Sequence, residues 1–293
     1  MKYKLVVLDL DGTLLKDNKN ISIQTVKYIK LLKKRGVDVV IATGRSYYHG
    51  KKLIAPLKQD MIVLSNNGSI ARHTSNDEVI FANYLKKNEA KNIISESVKS
   101  GFHPIIHINE FDKGYDLIIE KKPNNLGYNG YMEKEDVRFR RVNFKKIKYE
   151  SILSVCIAGE FYELENFRKN IMKRYPDTYS SFTSRNLKIR ALLEFLDVKG
   201  CKWEGIKKYA KSEDIIPEEV ISIGDDNNDI ELVKNSGLGI AMKNGTEEIK
   251  KSADKITNFD NNSDGVIKEL QNYFNIRTES KWIKDYITNI QNI

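Results

Sequence analysis

The chain of 293 residues is 40% hydrophobic and 30% charged, with 49 Lys and Arg against 40 Asp and Glu for a formal net charge of +9. That apolar share builds a packed core, and the length predicts roughly two domains or one domain with a large insertion, which excludes disordered, collagen-like and low-complexity chains. Two cysteines, Cys156 and Cys201, are too few for a secreted disulfide framework or a cysteine-built zinc site, and Met1-Lys2-Tyr3-Lys4 leads into no signal-peptide core. No apolar run approaches the roughly 18 residues of a membrane span. A soluble, cytoplasmic protein is expected.

The run Lys4-Leu-Val-Val-Leu-Asp-Leu10 reads as a parallel strand buried on both faces, with Asp9 and Asp11 at or just past its carboxyl end. Ser22 precedes apolar residues at helical spacing that run to Lys33-Lys34-Arg35-Gly36, a capped helix. Strands at 37–42 and 61–64 end in Thr43-Gly44-Arg45 and Ser65-Asn66-Asn67-Gly68. This strand and helix alternation predicts an α/β fold with a doubly wound parallel sheet. The rhythm breaks after about residue 83. A helix near 88–100, strands at 103–108, 115–120 and 151–158, a helix near 161–174 and short strands near 178–183 and 187–194 predict a separate α+β unit with an antiparallel sheet. The α/β rhythm then returns with a helix at 201–211 and strands at 220–223 and 238–241, which end in Gly224-Asp225-Asp226-Asn227-Asn228-Asp229 and Met242-Lys243-Asn244-Gly245. The simplest architecture is a discontinuous core of 1–83 and 191–293 interrupted by an insert of 84–190. The insert holds 21 basic and 14 acidic residues, so +7 of the +9 belongs to it. Such an excess serves solubility or attracts an anionic partner.

Ligands of open α/β sheets bind outside the carboxyl ends of the strands. Here those ends carry Asp9, Asp11, Thr43, Asn67, Asp225 and Asp229. Bare carboxylates converging in one crevice repel one another, so a hard divalent cation is implied, Mg²⁺ being the natural one for oxygen ligands and a substrate phosphate. The Thr43 hydroxyl, backbone N–H groups around Gly12, Gly44 and Gly68, and a lysine would form a phosphate cradle.

Asp9-Leu10-Asp11-Gly12-Thr13, Thr43-Gly44-Arg45, Lys199-Gly200 and Gly224-Asp225-Asp226-Asn227-Asn228-Asp229, in this order and these strand contexts, resemble the four motifs of the haloacid dehalogenase-like (HAD) hydrolases. Asn66-Asn67-Gly68, Lys243-Asn244-Gly245 and the long insertion resemble its Cof-type subfamily with a C2B cap, over about residues 3–272. The resemblance implies a Rossmann-like core with an inserted α+β cap and a Mg²⁺-dependent phosphatase acting on small organic phosphomonoesters, whether sugar phosphates, nucleotides or phosphorylated cofactors. It implies Asp9 as the nucleophile that forms a phosphoaspartate and Asp11 as general acid and base. Gly12, Thr43, Gly44 and Lys199 would contact the phosphoryl group, and Asn67 would contact it or orient the loop. Asp9, the main-chain carbonyl of Asp11 and Asp225 would hold the metal, with Asn228 and Asp229 beside or behind them. Arg45 is open between a salt bridge and a substrate contact, and Asn244, a candidate substrate contact, reads first as a structural residue closing the loop beside the fourth motif. Lys199 is preferred to Lys202 from its place after the apolar Leu192–Leu196 run, although Asp197-Val198-Lys199-Gly200 departs from the usual Ser-Lys-Gly.

Turn and cap chemistry explains Asp, Gly and Thr after strands individually, but not their convergence. An EF-hand starting at Asp225 would have Ile230 and Ser236 where Gly and Glu belong. His49, His73, His103 and His107 lack zinc spacing, and the aromatic residues form no base-stacking series. The expected partner is therefore a small phosphorylated metabolite, with no nucleic acid or membrane, and the protein a monomer or weak homo-oligomer. Alternatives are a phosphotransferase or phosphosugar mutase of the same superfamily and a receiver-like signalling module. Trp282, Ile283, Tyr286, Ile287 and Ile290 predict a terminal amphipathic helix.

Overall fold

The computed structural model describes residues 2–121, 128, 131, 138–186 and 190–274. The terminal helix expected around Trp282 lies outside the described residues. In chain order the first part holds β1 (Leu5–Leu8), α1 (Ile23–Lys34), β2 (Asp38–Ala42), α2 (Tyr47–Ile54), β3 (Ile62–Ser65), β4 (Ile70–His73) and β5 (Val79–Ala82). There follow α3 (Lys87–Lys99), β6 (Ile105–Ile108), β7 (Leu117–Glu120), β8 (Phe139–Val142), β9 (Ile152–Gly159), α4 (Phe161–Arg174), β10 (Tyr179–Asn186) and β11 (Arg190–Asp197). The last part holds α5 (Lys202–Ser212), β12 (Val220–Gly224), α6 (Ile230–Asn235), β13 (Leu238–Ala241), α7 (Glu247–Ser252), β14 (Lys255–Ile256) and α8 (Gly265–Phe274).

Eight strands form one sheet in the order β14-β13-β12-β1-β2-β3-β4-β5, parallel from β14 to β3 and antiparallel beyond. The period of two explains why its apolar runs are unbroken. Val6, Leu8 and Ile41 face a cluster containing Tyr28 and Ile29 of α1, while Leu5, Val7, Val40 and Leu64 face Ile206 and Tyr209 of α5, so both faces are covered. The chain moves outward from β1 through β2 and β3, then returns to β12 on the other side of β1. That reversal opens a crevice at the carboxyl ends of β1 and β12.

The second sheet has the order β10-β11-β9-β6-β7-β8 and is antiparallel except for the β7/β8 pair. Helices α3 and α4 cover one face through Ala90, Ile93, Ile94, Leu164, Phe167 and Ile171. The expected boundary at residue 191 falls inside β11, which pairs with β9 and β10 of this sheet. The short strand expected near 187–194 runs on to Asp197, because Leu193, Phe195 and Leu196 are buried and keep the pairing favourable to that point.

Candidate active site

The site is built on the ends of β1, β2, β3 and β12 and the first turn of α5. Asp9 directly follows β1 and is buried, with its backbone N–H held by the Ile223 carbonyl at 3.0 Å. Its Oδ1 accepts from Lys202 Nζ at 2.6 Å, and the same ammonium donates to Asp229 Oδ1 at 2.7 Å. Asp229 Oδ2 in turn accepts from the backbone N–H groups of Asp225 and Asp226 at 3.2 and 3.4 Å. One carboxylate oxygen from each of Asp9, Asp225 and Asp229 lies within 4.8 Å of the others.

Burial, outweighing Lys202 and joined by the nearby Asp229 and Asp11 charges, raises the Asp9 carboxyl above the usual carboxylate range. Burial and then the Asp9 and Asp229 charges push Asp225 up as well. Lys202 shows the opposite balance. Burial favours its neutral form, but Asp229 and Asp9 overcome that and hold the ammonium protonated. Three acidic groups around one lysine leave an excess of negative charge, which suits a hard divalent cation.

Gly12, at φ 75°, sits where a Cβ would overlap the Asp225 carboxylate, so only glycine lets the β1 and β12 loops approach this closely. Thr13 Oγ1 donates to Asp225 Oδ1 at 3.1 Å. Thr43 is buried at the end of β2, its Oγ1 accepting from the Arg45 backbone N–H at 3.2 Å. Gly44 lies against the Asn67 amide. Asn67 is held in left-handed backbone (φ 51°, ψ 37°), and its amide bridges the two sheets. Asn228 Nδ2 donates to Asn67 Oδ1 at 2.8 Å, and Asn67 Nδ2 donates to Glu194 Oε1 of β11 at 3.2 Å.

Asp11 stands apart from the buried carboxylates. Arg45 grips it through Nε and through Nη2, the latter 2.7 Å from Oδ1, and Lys19 Nζ donates to the same Oδ1 at 2.7 Å. Burial would raise the Asp11 carboxyl, but the Arg45 hydrogen bond and charge, with Lys19, win and bring it down to about 2. Arg45 is thus in a salt bridge here. Asn244 is spent on backbone: its Nδ2 donates to the Gly12 carbonyl at 2.8 Å and its Oδ1 accepts from the Asn261 N–H at 3.2 Å, which ties the β13 loop to the β1 loop.

Lys199 is the correction among the expected residues. It is exposed in the turn after β11, where its backbone N–H donates to Asp197 Oδ1 at 2.9 Å. Because β11 continues to Asp197 and Gly200 N–H closes the turn on the Asp197 carbonyl at 2.6 Å, the residue delivered to the carboxylates is Lys202, three positions later. It opens α5 behind the Cys201 cap, so its side chain leans toward the helix N-terminus and into the crevice. Glu194 also escaped the sequence reading. Its signal is a single carboxylate inside Leu192-Leu193-Glu194-Phe195-Leu196, buried and pushed up to about 7 by that burial.

A family model described as haloacid dehalogenase-like hydrolase matches residues 6–270. The chain is 27% identical over 280 residues to the 5-amino-6-(5-phospho-D-ribitylamino)uracil phosphatase YitU of Bacillus subtilis, covering 94% of this chain and 99% of that protein. It is 29% identical over 279 residues to the same organism's 5-amino-6-(5-phospho-D-ribitylamino)uracil phosphatase YcsE, covering 92% and 95%. A crystal structure of a haloacid dehalogenase-like hydrolase from Bacteroides thetaiotaomicron superposes with a TM-score of 0.75 at 26% identity, covering 93% of this chain and all of that one. With its doubly wound sheet and its converging strand-end carboxylates, the chain belongs to the haloacid dehalogenase-like hydrolases of Cof type and is a phosphoric monoester hydrolase.

Proposed function

We propose that the chain is a Mg²⁺-dependent phosphatase that hydrolyses small organic phosphomonoesters through a phosphoaspartate on Asp9. The observation that carries this reading is the Asp9, Asp225 and Asp229 cluster braced by the buried Lys202 ammonium. Asp9 Oδ attacks phosphorus as the ester oxygen leaves, and water then cleaves the acyl phosphate to return free carboxylate and inorganic phosphate. Mg²⁺ held by Asp9, the main-chain carbonyl of Asp11 and Asp225 would offset phosphoryl charge and align the substrate.

Lys202, with the Thr43 hydroxyl and the backbone N–H groups of the motif loops, stabilises the charge that grows on the phosphoryl oxygens. Asp229 orients Lys202 and fixes the β12 loop, while Asn228 and Asn67 hold that loop to the turn after β3. Asp11 gives a proton to the leaving oxygen and later takes one from water. In the arrangement with Arg45 it is ionised, the form that activates water. Proton donation therefore requires Arg45 to let go, as it would when an anionic substrate competes for the guanidinium.

The unit built on the second sheet acts as a cap over this crevice, excluding water during the reaction. Among the described residues no helix is long and apolar enough to cross a membrane, and the two cysteines are unpaired, which supports action on soluble metabolites in a reducing cytoplasm. The test is phosphate release from 4-nitrophenyl phosphate with Mg²⁺, with chelator and after Mg²⁺ is restored. Wild type should turn over only with the metal, and Asp9→Asn should be inactive in all three conditions. Full activity in Asp9→Asn would overturn the reading.

A further inference from the structure

A cavity of about 70 Å³ lies between the turn after β2 and the second sheet. Gly44 and Arg45 line it from one side and His107, Asp116, Tyr131 and Arg138 from the other. Arg45 reaches from this cavity to Asp11, so the space lies one residue from the carboxyl that would protonate the leaving oxygen. It has room for about two waters, or for one or two hydroxyl-bearing carbons.

Almost every polar group around it is already engaged. His107 Nδ1 is 2.8 Å from Asn66 Nδ2 and its Nε2 is 3.1 Å from Tyr131 Oη. Arg138 donates to the Phe111 carbonyl and lies over the Tyr48 and Phe111 rings, 4.7 Å from each centroid. Asp116 is the exception. It is 7% exposed, yet its Oδ2 has no hydrogen-bond partner, alone among the buried side-chain atoms of the described residues that line this space. The nearest cationic nitrogen, Arg138 Nε, is 3.7 Å away, beyond hydrogen-bonding reach. Burial, against Arg138 and Arg72, pushes the Asp116 carboxyl up to about 6, as expected of an acceptor with too few donors.

A buried carboxylate oxygen without a donor is unfavourable and marks a place for one to arrive. The charges select its kind. Asp116 repels an anionic group and Arg138 repels a cationic one, so a neutral donor fits, and on a phosphate ester that donor is an alcohol. We propose that Asp116 is a specificity-determining acceptor for a leaving-group hydroxyl, so that phosphomonoesters of polyhydroxylated alcohols are preferred to alkyl or aryl phosphates. This rests on the phosphatase reading above.

The test measures kcat/KM of the full chain with Mg²⁺ for a pentose 5-phosphate, a hexose 6-phosphate, n-pentyl phosphate and 4-nitrophenyl phosphate, in wild type, Asp116→Asn and Asp116→Ala. Wild type should prefer at least one sugar phosphate over n-pentyl phosphate by about tenfold or more; Asp116→Ala, which removes the acceptor, should lower that ratio about tenfold or more, and Asp116→Asn, whose amide oxygen still accepts, should lower it less. Turnover of 4-nitrophenyl phosphate without any wild-type sugar preference would overturn the proposal while sparing the phosphatase reading. An unchanged ratio in folded Asp116→Ala would do the same and assign Oδ2 to water. Where Asp116→Ala fails to fold, absence of the wild-type sugar preference still overturns the proposal, and a lowered ratio in Asp116→Asn still supports it. No turnover of any ester would sink both.

Discussion

The two sheets treat buried polar groups differently. Around the eight-stranded sheet, Asp9, Asp229, Lys202, Thr43 and Asn67 are buried, and each side chain has a hydrogen-bond partner. Of the buried side-chain atoms without a hydrogen-bond partner among the described residues, only the Tyr28 hydroxyl belongs to that sheet's helices. Asp116, Tyr128, Ser181 and Thr183 lie on the second sheet or against it. A centre that must stabilise growing charge gains from groups fixed beforehand. If the second sheet meets the leaving group as proposed, it gains from a group still free to bond, and of these four residues Asp116 alone lines the cavity beside Arg45. Both designs come from one chain, and they meet at Asn67, whose amide is shared by Asn228 and Glu194.

The sharpest way to break this contrast is Lys202→Met, which leaves Asp9 and Asp229 buried without their cation. We expect activity on 4-nitrophenyl phosphate to fall by about 10² or more and stability by about 3–5 kcal/mol, read from steady-state rates and urea melts. Gly12→Ala forces a left-handed backbone and a clash with Asp225. The expected result is an activity loss of about 10²-fold with a smaller stability loss of about 1–2 kcal/mol, and an unimpaired rate would mean the loops do not need their close approach.

Glu194→Gln tests the bridge between the sheets. The Glu194 carboxyl is raised from 4.5 to about 7 in the fold, so wild-type stability is fully present below about pH 4.5 and declines as pH rises through about 7. Gln carries no such charge, so the variant should lack this decline, worth up to about 3 kcal/mol, in melts across that range. Parallel wild-type and variant profiles would count against the burial assigned to Glu194. Smallest of all is Lys199→Met. Its side chain is exposed and its contact is made by backbone, so activity and melting should stay near wild type, with stability within about 0.5 kcal/mol.

Much of this was legible in the sequence. Largely apolar runs such as Leu5–Leu8 and Val220–Gly224 announce doubly buried strands, and the acidic residues placed just past them announce a crevice. The hairpin strands β4 and β5 and the short helices α6 and α7 were not anticipated, because segments of four to six residues carry too few periods to read unless, as at β1 and β12, a cluster of acidic turn residues marks their end. Lys199 was preferred to Lys202 for a related reason. Strand ends are set by cross-strand pairing, and β11 pairs with β10 as far as Asp197, which moves the turn and the start of α5 along the chain. Asp116 had no sequence signature at all. Its importance arises only from where Arg138 and the turn after β2 leave its oxygen in the fold.

The central claim is that Asp9 carries the phosphoryl group. Excess enzyme mixed with a radiolabelled phosphomonoester and Mg²⁺, then quenched in acid at short times, should hold label on the peptide containing Asp9. That label should be released by hydroxylamine and be missing in Asp9→Asn. Hydrolysis at the wild-type rate with no protein-bound label at any quench time would contradict the account.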